Sequence, residues 1–245
     1  MTTAKTALVT GAAGTLGLAI SGALVEDGIR VAIADIDRKG LTNAAEKLGG
    51  ETYPLAFDIS DPEEADGAIR KMGEEFGEVD VLVNNAGILS NHKSLETSPE
   101  EWRRVLRVNL DGAFFLSRAV IPHMKNRGWG RIVNVCSLAA KTGGITAGTA
   151  YSTSKGALIS LTFSLAAETA PFGITVNGIA PAYVKTPMIT EHLTEEQRKA
   201  VVERIPVKRF CEPEEVAHVV RFLLSPLAGF ITGEIIDQNG GLLFD

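Results

Sequence analysis

The chain has 245 residues, a net charge of −6 and 45% hydrophobic residues, which is the composition of an ordinary soluble globular protein. It has no stripe rich in Lys and Arg, and this argues against nucleic acid as a partner. Its two cysteines, Cys136 and Cys211, and its four scattered histidines form neither a disulfide framework nor a metal-site motif. We see no signal peptide and no apolar run of the ~18 residues that a membrane span needs, so we expect a cytoplasmic protein.

Short apolar runs alternate with segments of helical period along the whole chain. The runs are mostly rich in β-branched residues and bounded by Gly, Asp, Asn or Pro, as buried strands are. They occupy residues 6–9, 31–34, 53–57, 79–83, 132–135, 174–179 and 234–236. The helical segments occupy residues 16–24, 38–48, 61–76, 99–127, 151–170 and 212–224. This alternation predicts one α/β domain over residues 1–245, with a doubly wound, mostly parallel sheet and helices on both of its faces.

One segment interrupts the alternation. Between Pro181 and Pro213 the chain carries Met188-Ile189 and then a charged stretch over residues 191–204. Connections of this length in compact domains are often functional. We predict a substrate loop or lid over about 182–212, and a solvated helical insertion is the alternative.

A glycine-rich turn, Thr10-Gly11-Ala12-Ala13-Gly14-Thr15-Leu16-Gly17, joins the first predicted strand to the first helix. Glycines permit a tight turn and close approach of the backbone to a ligand, and the helix N-terminus offers free N–H groups to a pyrophosphate. The context of strand, turn and helix predicts a dinucleotide site. Its predicted contacts are Gly11, Gly14, Thr15, Leu16 and Gly17.

Asp35 ends the second predicted strand, 18 residues after Gly17. This spacing is close to that expected of a carboxylate that binds the adenosine ribose, and such a carboxylate repels a 2′-phosphate. It therefore predicts NAD(H) in preference to NADP(H). Arg38 and Lys39 are the contrary signal because they could pair with a phosphate, but we expect the charge nearer the ribose to dominate.

Tyr151 and Lys155 share one face of a predicted helix, and Ser137 lies fourteen residues upstream of Tyr151. A cation beside a phenol favours the phenolate and lowers the pKa of the phenol, which otherwise titrates near ~10. The pair could therefore transfer a proton, while the Ser137 hydroxyl holds a carbonyl or carbinol oxygen beside it.

Together these motifs resemble the short-chain dehydrogenase/reductase family over essentially the whole chain. The resemblance also rests on Asp58-Ile59, Asn84-Asn85-Ala86-Gly87, Asn109 within Val108-Asn109-Leu110-Asp111-Gly112, Asn177-Gly178-Ile179-Ala180-Pro181, Thr186, Phe230-Ile231-Thr232-Gly233 and Gly240-Gly241. It implies a Rossmann fold with a seven-stranded sheet, and a homotetramer, with a homodimer as the alternative.

The resemblance also implies the roles of individual residues. Tyr151 would be the general acid/base, Lys155 would lower its pKa and hold the nicotinamide ribose, Ser137 would bind the substrate oxygen, and Asn109 would position a water next to Lys155. Further cofactor contacts would come from Asp35, Ile36, Asp58, Ile59, Asn85, Ala86, Gly87, Tyr151, Lys155, Pro181, Val184 and Thr186. We expect the substrate pocket to be lined by Ile145, Tyr183, Met188, Ile189, His192 and Leu193.

The chain departs from the usual family pattern at several places. The middle glycine of the turn comes one residue early, at Gly14, and Thr15 takes the usual position. The interval from Ser137 to Tyr151 is about one residue longer than usual, and we place the extra residue in the loop over 142–148. Ala182 replaces a usual Gly, and Gln238-Asn239 replaces a usual Val-Asp.

The leading functional prediction is an NAD(H)-dependent oxidoreductase that interconverts a secondary alcohol and a ketone, with a sugar, polyol, hydroxy acid or similar small substrate. The first alternative is an NADPH-dependent reductase of 3-oxoacyl thioesters on an acyl carrier protein. The second is a non-catalytic NAD-binding sensor or scaffold, and a third is lyase or epimerase chemistry on the same fold.

Overall fold

A computed structural model describes residues 5–187 and 194–244. Its strands are β1 (Thr6–Thr10), β2 (Arg30–Asp35), β3 (Thr52–Ala56), β4 (Val81–Asn84), β5 (Gly130–Val135), β6 (Ile174–Pro181) and β7 (Ile235–Gln238). They form a seven-stranded sheet in the order β3-β2-β1-β4-β5-β6-β7, and every neighbouring pair is parallel. The predicted doubly wound fold is confirmed.

The described helices lie between these strands and on both faces of the sheet. They are α1 (Thr15–Glu26), α2 (Arg38–Leu48), α3 (Pro62–Glu75), α4 (Pro99–Leu106), α5 (Gly112–Arg127), α6 (Ala139–Thr142), α7 (Thr149–Thr169), α8 (Glu195–Arg204) and α9 (Pro213–Leu224). A π-helical turn, Arg107–Asp111, joins α4 to α5, where the sequence predicted one uninterrupted helix over 99–127. None of the described helices is long and apolar enough to cross a bilayer.

The core has two main layers, one on each face of the sheet. In β1 the side chain of Leu8 packs into one layer, whereas Ala7 and Val9 pack into the other. All three are fully buried. Because both faces of a parallel strand are covered, such strands appear in sequence as unbroken apolar runs, and this is why the pattern predicts them well.

The strand order reverses at β1, which lies between β2 and β4. In open α/β sheets a ligand binds beyond the carboxyl ends of the strands at such a reversal. The glycine-rich turn follows β1 at this edge, Asn85 follows β4, and Ser137 lies just beyond β5. The topology therefore gathers the predicted site residues at one edge of the sheet.

Candidate active site

The glycine-rich turn is built by close backbone contacts. Gly11 has a φ of +66°, and a Cβ there would lie 2.9 Å from the Cα of Ala86. A Cβ on Gly17 would lie 2.2 Å from the carbonyl oxygen of Gly11. Gly14 is the residue before α1 and provides no side-chain cap for the helix N-terminus. The free N–H groups there fit a pyrophosphate, as the sequence predicts.

Thr10 joins this turn to the segment that follows β4. Its Oγ1 accepts hydrogen bonds from the backbone N–H groups of Asn85 and Ala86, both at 3.0 Å. The side-chain amide of Asn85 donates to the Thr10 carbonyl at 2.9 Å. These bonds fix two walls of the cleft relative to each other.

The Asp35 carboxylate accepts hydrogen bonds from two backbone amides. Oδ2 accepts from the N–H of Ala13 at 3.1 Å, and Oδ1 accepts from the N–H of Asp37 at 3.1 Å. One bond reaches into the glycine-rich turn and the other holds the start of the next loop. Asp35 therefore stabilises the turn with Oδ2 and the loop after β2 with Oδ1.

A cleft of about 450 Å³ lies beside Asp35 at the adenine end of the predicted site. Ile36, Asp58 and Ile59 line it, as expected. Arg104 and Arg107 line it too, and the sequence analysis did not select them because their spacing is that of an ordinary solvated helix face.

Lys155 is 3% exposed, and its Nζ donates to the Val135 carbonyl at 2.7 Å. Nζ lies 5.9 Å from the centre of the Tyr151 ring. Burial lowers the pKa of the Lys155 ammonium. Lys155 is thus held between the end of β5 and the Tyr151 ring.

Desolvation raises the pKa of the Tyr151 phenol, although a hydrogen bond with Ser137 acts in the opposite direction. This differs from the predicted lowering by Lys155. The physical reason is that burial disfavours the phenolate, while the Lys155 ammonium is bonded to a backbone carbonyl. Tyr151 therefore holds its proton at neutral pH in this structure.

Asn109 lies in the π-helical turn and is 1% exposed. Its Oδ1 accepts from the N–H of Ile88 at 2.8 Å, and its Nδ2 donates to the Ile88 carbonyl and to Ser154 Oγ, both at 3.0 Å. A Cβ on Gly87 would lie 3.2 Å from Asn109 Oδ1 and 3.4 Å from Lys155 Nζ. Asn109 and Lys155 thus approach Gly87 from the same side.

The main cleft has a volume of about 930 Å³. Most of the predicted residues line it: Gly11, Gly14, Thr15, Leu16, Gly17, Asp35, Asn85, Ala86, Gly87, Ser137, Tyr151, Lys155, Pro181, Tyr183, Val184 and Thr186. The sequence analysis missed Leu89, Asn91, Val135, Cys136, Thr146, Pro187 and Val201. Leu89 and Asn91 follow the Asn84–Gly87 motif, and that position is the only signal that could have found them.

A smaller cavity of about 140 Å³ opens beside Ser137 and Tyr151. Ile145 and Tyr183 line it, as expected, and Tyr183 has a φ of +47°. Other residues of its wall are Leu89, Leu138, Ala139, Thr142, Thr146, Ala147, Pro181 and Ala182. The remaining residues predicted for the pocket, Met188, Ile189, His192 and Leu193, lie outside the described residues.

Among residues 5–187 and 194–244, no cluster of His, Cys, Asp and Glu side chains could hold a metal ion. Ser137 and Tyr151 line one small cavity at the end of the nucleotide-sized cleft, and their hydroxyls form a corner that can accommodate an oxygen atom. Such a corner suits hydride transfer, because hydride transfer needs a proton partner and an oriented oxygen beside a cofactor that performs the difficult step.

Residues 11–243 match the family described as Enoyl-(Acyl carrier protein) reductase. The chain belongs to the short-chain dehydrogenase/reductase family and is an oxidoreductase of that family. It is 39% identical to the 3-oxoacyl-(acyl-carrier-protein) reductase FabG of Vibrio cholerae over 239 residues, with 97% of each chain covered. It is 37% identical to FabG of Thermotoga maritima, with 98% of each chain covered.

Two solved structures are similar over nearly their whole length. One is a variant of actinorhodin polyketide ketoreductase with NADPH, at a TM-score of 0.93, 35% identity, and coverage of 98% of this chain and 97% of that one. The other is described as a glucose/ribitol dehydrogenase from Brucella melitensis, at a TM-score of 0.90 and 35% identity, with 98% and 97% covered.

These similarities correct two predictions. The preference for NAD(H) is wrong, because the similar ketoreductase structure is described with NADPH. The physical reason lies in Asp35, whose carboxylate oxygens are both bonded to backbone amides, while Arg38 and Lys39 follow at the start of α2. The leading prediction of a small alcohol substrate with NAD(H) is also wrong, since the relatives named 3-oxoacyl reductases favour the first alternative.

Proposed function

We propose that this protein reduces a 3-oxoacyl thioester to the 3-hydroxyacyl thioester with NADPH, and that an acyl carrier protein presents the substrate. The observation that carries the proposal is the convergence of Ser137 and Tyr151 on one small cavity, which adjoins the nucleotide-sized cleft. The similarity to 3-oxoacyl-(acyl-carrier-protein) reductases and to a polyketide ketoreductase supports the class of substrate.

The glycine-rich turn and the N-terminus of α1 would hold the pyrophosphate of NADPH, and Lys155 would hold the nicotinamide ribose. When bound, NADPH supplies the hydride for the carbonyl carbon. At the other end, Arg38 and Lys39 would pair with the 2′-phosphate. Neither side chain has an ion-pair partner among the described residues, so both are available for an anion.

Ser137 and Tyr151 would bind the ketone oxygen together. As the carbonyl carbon becomes tetrahedral, its oxygen gains negative charge, and two hydroxyl donors stabilise that charge. The Tyr151 phenol is protonated at neutral pH even at the ordinary pKa of Tyr, near ~10, so it has a proton to donate. The proton would pass from Tyr151 Oη to the alkoxide, and Lys155 would stabilise the phenolate that remains.

The family description that matches the chain names instead a reductase of a carbon–carbon double bond. In a 3-oxoacyl thioester the oxygen sits on the carbon that receives the hydride, so the hydroxyls of Ser137 and Tyr151 would bind directly at the reacting carbon. In an enoyl thioester the negative charge develops on the thioester oxygen, two carbons from the one that receives the hydride, and the same hydroxyls would bind it there. The names of the similar reductases, and not the shape of the cavity, therefore favour ketone reduction.

The test follows nicotinamide absorbance with acetoacetyl-CoA, an acetoacetyl-loaded acyl carrier protein and crotonyl-CoA, each with NADPH and NADH. We expect oxidation of NADPH with both acetoacetyl thioesters and none with crotonyl-CoA. Tyr151→Phe should lower kcat by about 10²–10⁴-fold, the typical contribution of a general acid, and leave the Kd of NADPH nearly unchanged. Tyr53→Phe, at a phenol remote from the cleft, is the matched control. Turnover of crotonyl-CoA alone would refute the proposal.

A second arm tests the cofactor. Arg38→Ala and Lys39→Ala should each raise the KM for NADPH, since each removes a cation near the 2′-phosphate, and Lys47→Ala at the other end of α2 is the control. We expect about a tenfold effect, the size of one lost charge-assisted hydrogen bond. Equal effects on the KM for NADH would contradict the assignment.

Two structural features remain part of the proposal. We propose that residues 182–212 act as the substrate loop of a single domain, because Val201 of α8 lines the cleft. We also propose a homotetramer formed through the faces of α5 and α7, where Phe114 and Phe163 are 41% and 49% exposed. Light scattering would measure the assembly, and a monomer at micromolar concentration would contradict it.

A further inference from the structure

The loop over residues 143–147 forms one wall of the substrate cavity through Ile145, Thr146 and Ala147. It lies within the segment over 142–148 to which the sequence analysis assigns the extra residue. Within the described part of the chain, none of these five residues makes a backbone–backbone hydrogen bond. A loop without such bonds has little to fix its shape unless side chains hold it.

Lys93 supplies that restraint from the segment after β4. Its Nζ donates to the Gly144 carbonyl at 2.9 Å and to the Ala147 carbonyl at 2.7 Å. The two acceptors flank Ile145 and Thr146, so one ammonium group spans the part of the loop that faces the cavity. Within the described ranges, no carboxylate forms an ion pair with the Lys93 ammonium group.

The backbone of Lys93 is itself held by hydrogen bonds. The Lys93 carbonyl accepts from the N–H and from the Oγ1 of Thr97, at 3.0 Å and 2.9 Å. Just upstream, the Glu101 carboxylate accepts from Ser90 Oγ at 2.7 Å and contacts His92 Nδ1 at 2.8 Å. The contacts therefore run from the first turn of α4 through Lys93 to the cavity wall.

Downstream of the loop the chain is held independently of Lys93. The N–H of Gly148 donates to the Ser90 carbonyl at 2.7 Å, and the N–H of Thr149 donates to the His92 carbonyl at 3.0 Å. A Cβ on Gly148 would lie 2.3 Å from the His92 carbonyl oxygen, so the two segments meet there in close backbone contact. Loss of the Lys93 side chain would release residues 143–147 and leave this junction intact.

We propose that Lys93 is a positioning residue that orders the loop over 143–147 and thereby sets the affinity for the acyl substrate. It touches neither the cofactor cleft nor the reacting atoms, and its effect passes through the loop backbone. The part of this inference that concerns the substrate rests on the proposed function, whereas the part that concerns loop order does not.

The test compares Lys93→Met, which keeps the length of the side chain but removes its donors, with Lys93→Arg and with Lys71→Met on the exposed face of α3. Cleavage of the 143–147 segment by a nonspecific protease and steady-state kinetics with acetoacetyl-CoA and NADPH are measured for each. In Lys93→Met we expect the rate of cleavage in this loop and the KM for acetoacetyl-CoA to rise about tenfold, the scale of a lost charge-assisted hydrogen bond, with kcat and the Kd of NADPH within about twofold.

Lys93→Arg should restore most of the wild-type behaviour, because a guanidinium can also donate to two carbonyls. Unchanged cleavage of the loop in Lys93→Met would overturn the inference outright. Faster cleavage with an unchanged KM would overturn the role in substrate affinity. A wild-type protein inactive toward acetoacetyl thioesters would refute the proposed function instead, and the comparison of cleavage rates would still decide whether Lys93 orders the loop.

Discussion

Replacing Asn109 by alanine removes an amide that joins the π-helical turn to the segment after β4. The amide makes three hydrogen bonds, two with the backbone of Ile88 and one with Ser154 Oγ. At 1% exposure, the amide makes these bonds out of contact with water. Their loss should therefore destabilise the fold as well as the site.

The magnitude follows from the partners that remain. A buried group left without its hydrogen bond costs about 1–3 kcal/mol. Ile88 is half-buried, so water can reach part of its backbone, and Ser154 Oγ keeps its bond to the Tyr151 carbonyl at 2.7 Å. We therefore expect Asn109→Ala to lower the free energy of unfolding by about 2–3 kcal/mol, at or just below the lower limit of the about 3–9 kcal/mol that three full losses would give.

Urea unfolding followed by circular dichroism, at one fixed protein concentration, measures this change. Asn126→Ala, at an exposed position near the end of α5, is the control and should shift the free energy of unfolding by less than about 0.5 kcal/mol. A similarly small effect for Asn109→Ala would refute the reasoning. It would mean that water replaces all three bonds, and that Asn109 serves only the reaction.

Two further predictions concern the turn and a surface phenol. Gly17→Ala should abolish NADPH binding in a fluorescence titration, because the new Cβ would lie 2.2 Å from the Gly11 carbonyl oxygen. Gly14→Ala is the control and should still bind NADPH, because the atom nearest to its Cβ would be the same oxygen at 3.4 Å. A hydrogen bond to Glu75 raises the pKa of Tyr53 to about 12. Glu75→Gln should bring that pKa back toward about 10 in an alkaline absorbance titration, and a wild-type value near 10 would contradict the contact.

The fold was predictable because buried strands and helices leave recognisable patterns of apolar residues in the sequence. Strands covered on both faces give apolar runs, as Ala7-Leu8-Val9 does, and the helices between them show one apolar face. The π-helical turn at Arg107–Asp111 was not predictable. Asn109 within this turn bonds through its amide to Ile88, 21 residues earlier, and apolar periodicity carries no trace of such a bond.

The candidate site likewise contains residues that the sequence predicts and residues that it does not. Tyr151 and Lys155 could be selected because their spacing places them on one helix face. Lys93 could not, since its two acceptors lie 51 and 54 residues away and an exposed lysine in a polar segment fits no pattern. The direction of the shift in the Tyr151 pKa could not be predicted from the sequence either, because it depends on how far folding removes water from the phenol.

Asp35 has a structural role in addition to its predicted place in the cofactor site. Its oxygens hold the N–H groups of Ala13 and Asp37, so the main effect of Asp35→Asn should be on the turn. An asparagine can accept only one of these bonds well, because its NH2 group would face the other N–H. We expect the Kd values of NADPH and NADH to rise by a similar factor, about tenfold for one lost hydrogen bond to a charged group. Asp27→Asn, remote from the cleft, is the control. If Asp35→Asn instead improved the binding of NADPH relative to NADH, its charge would act on the ribose end, and the backbone role would be secondary.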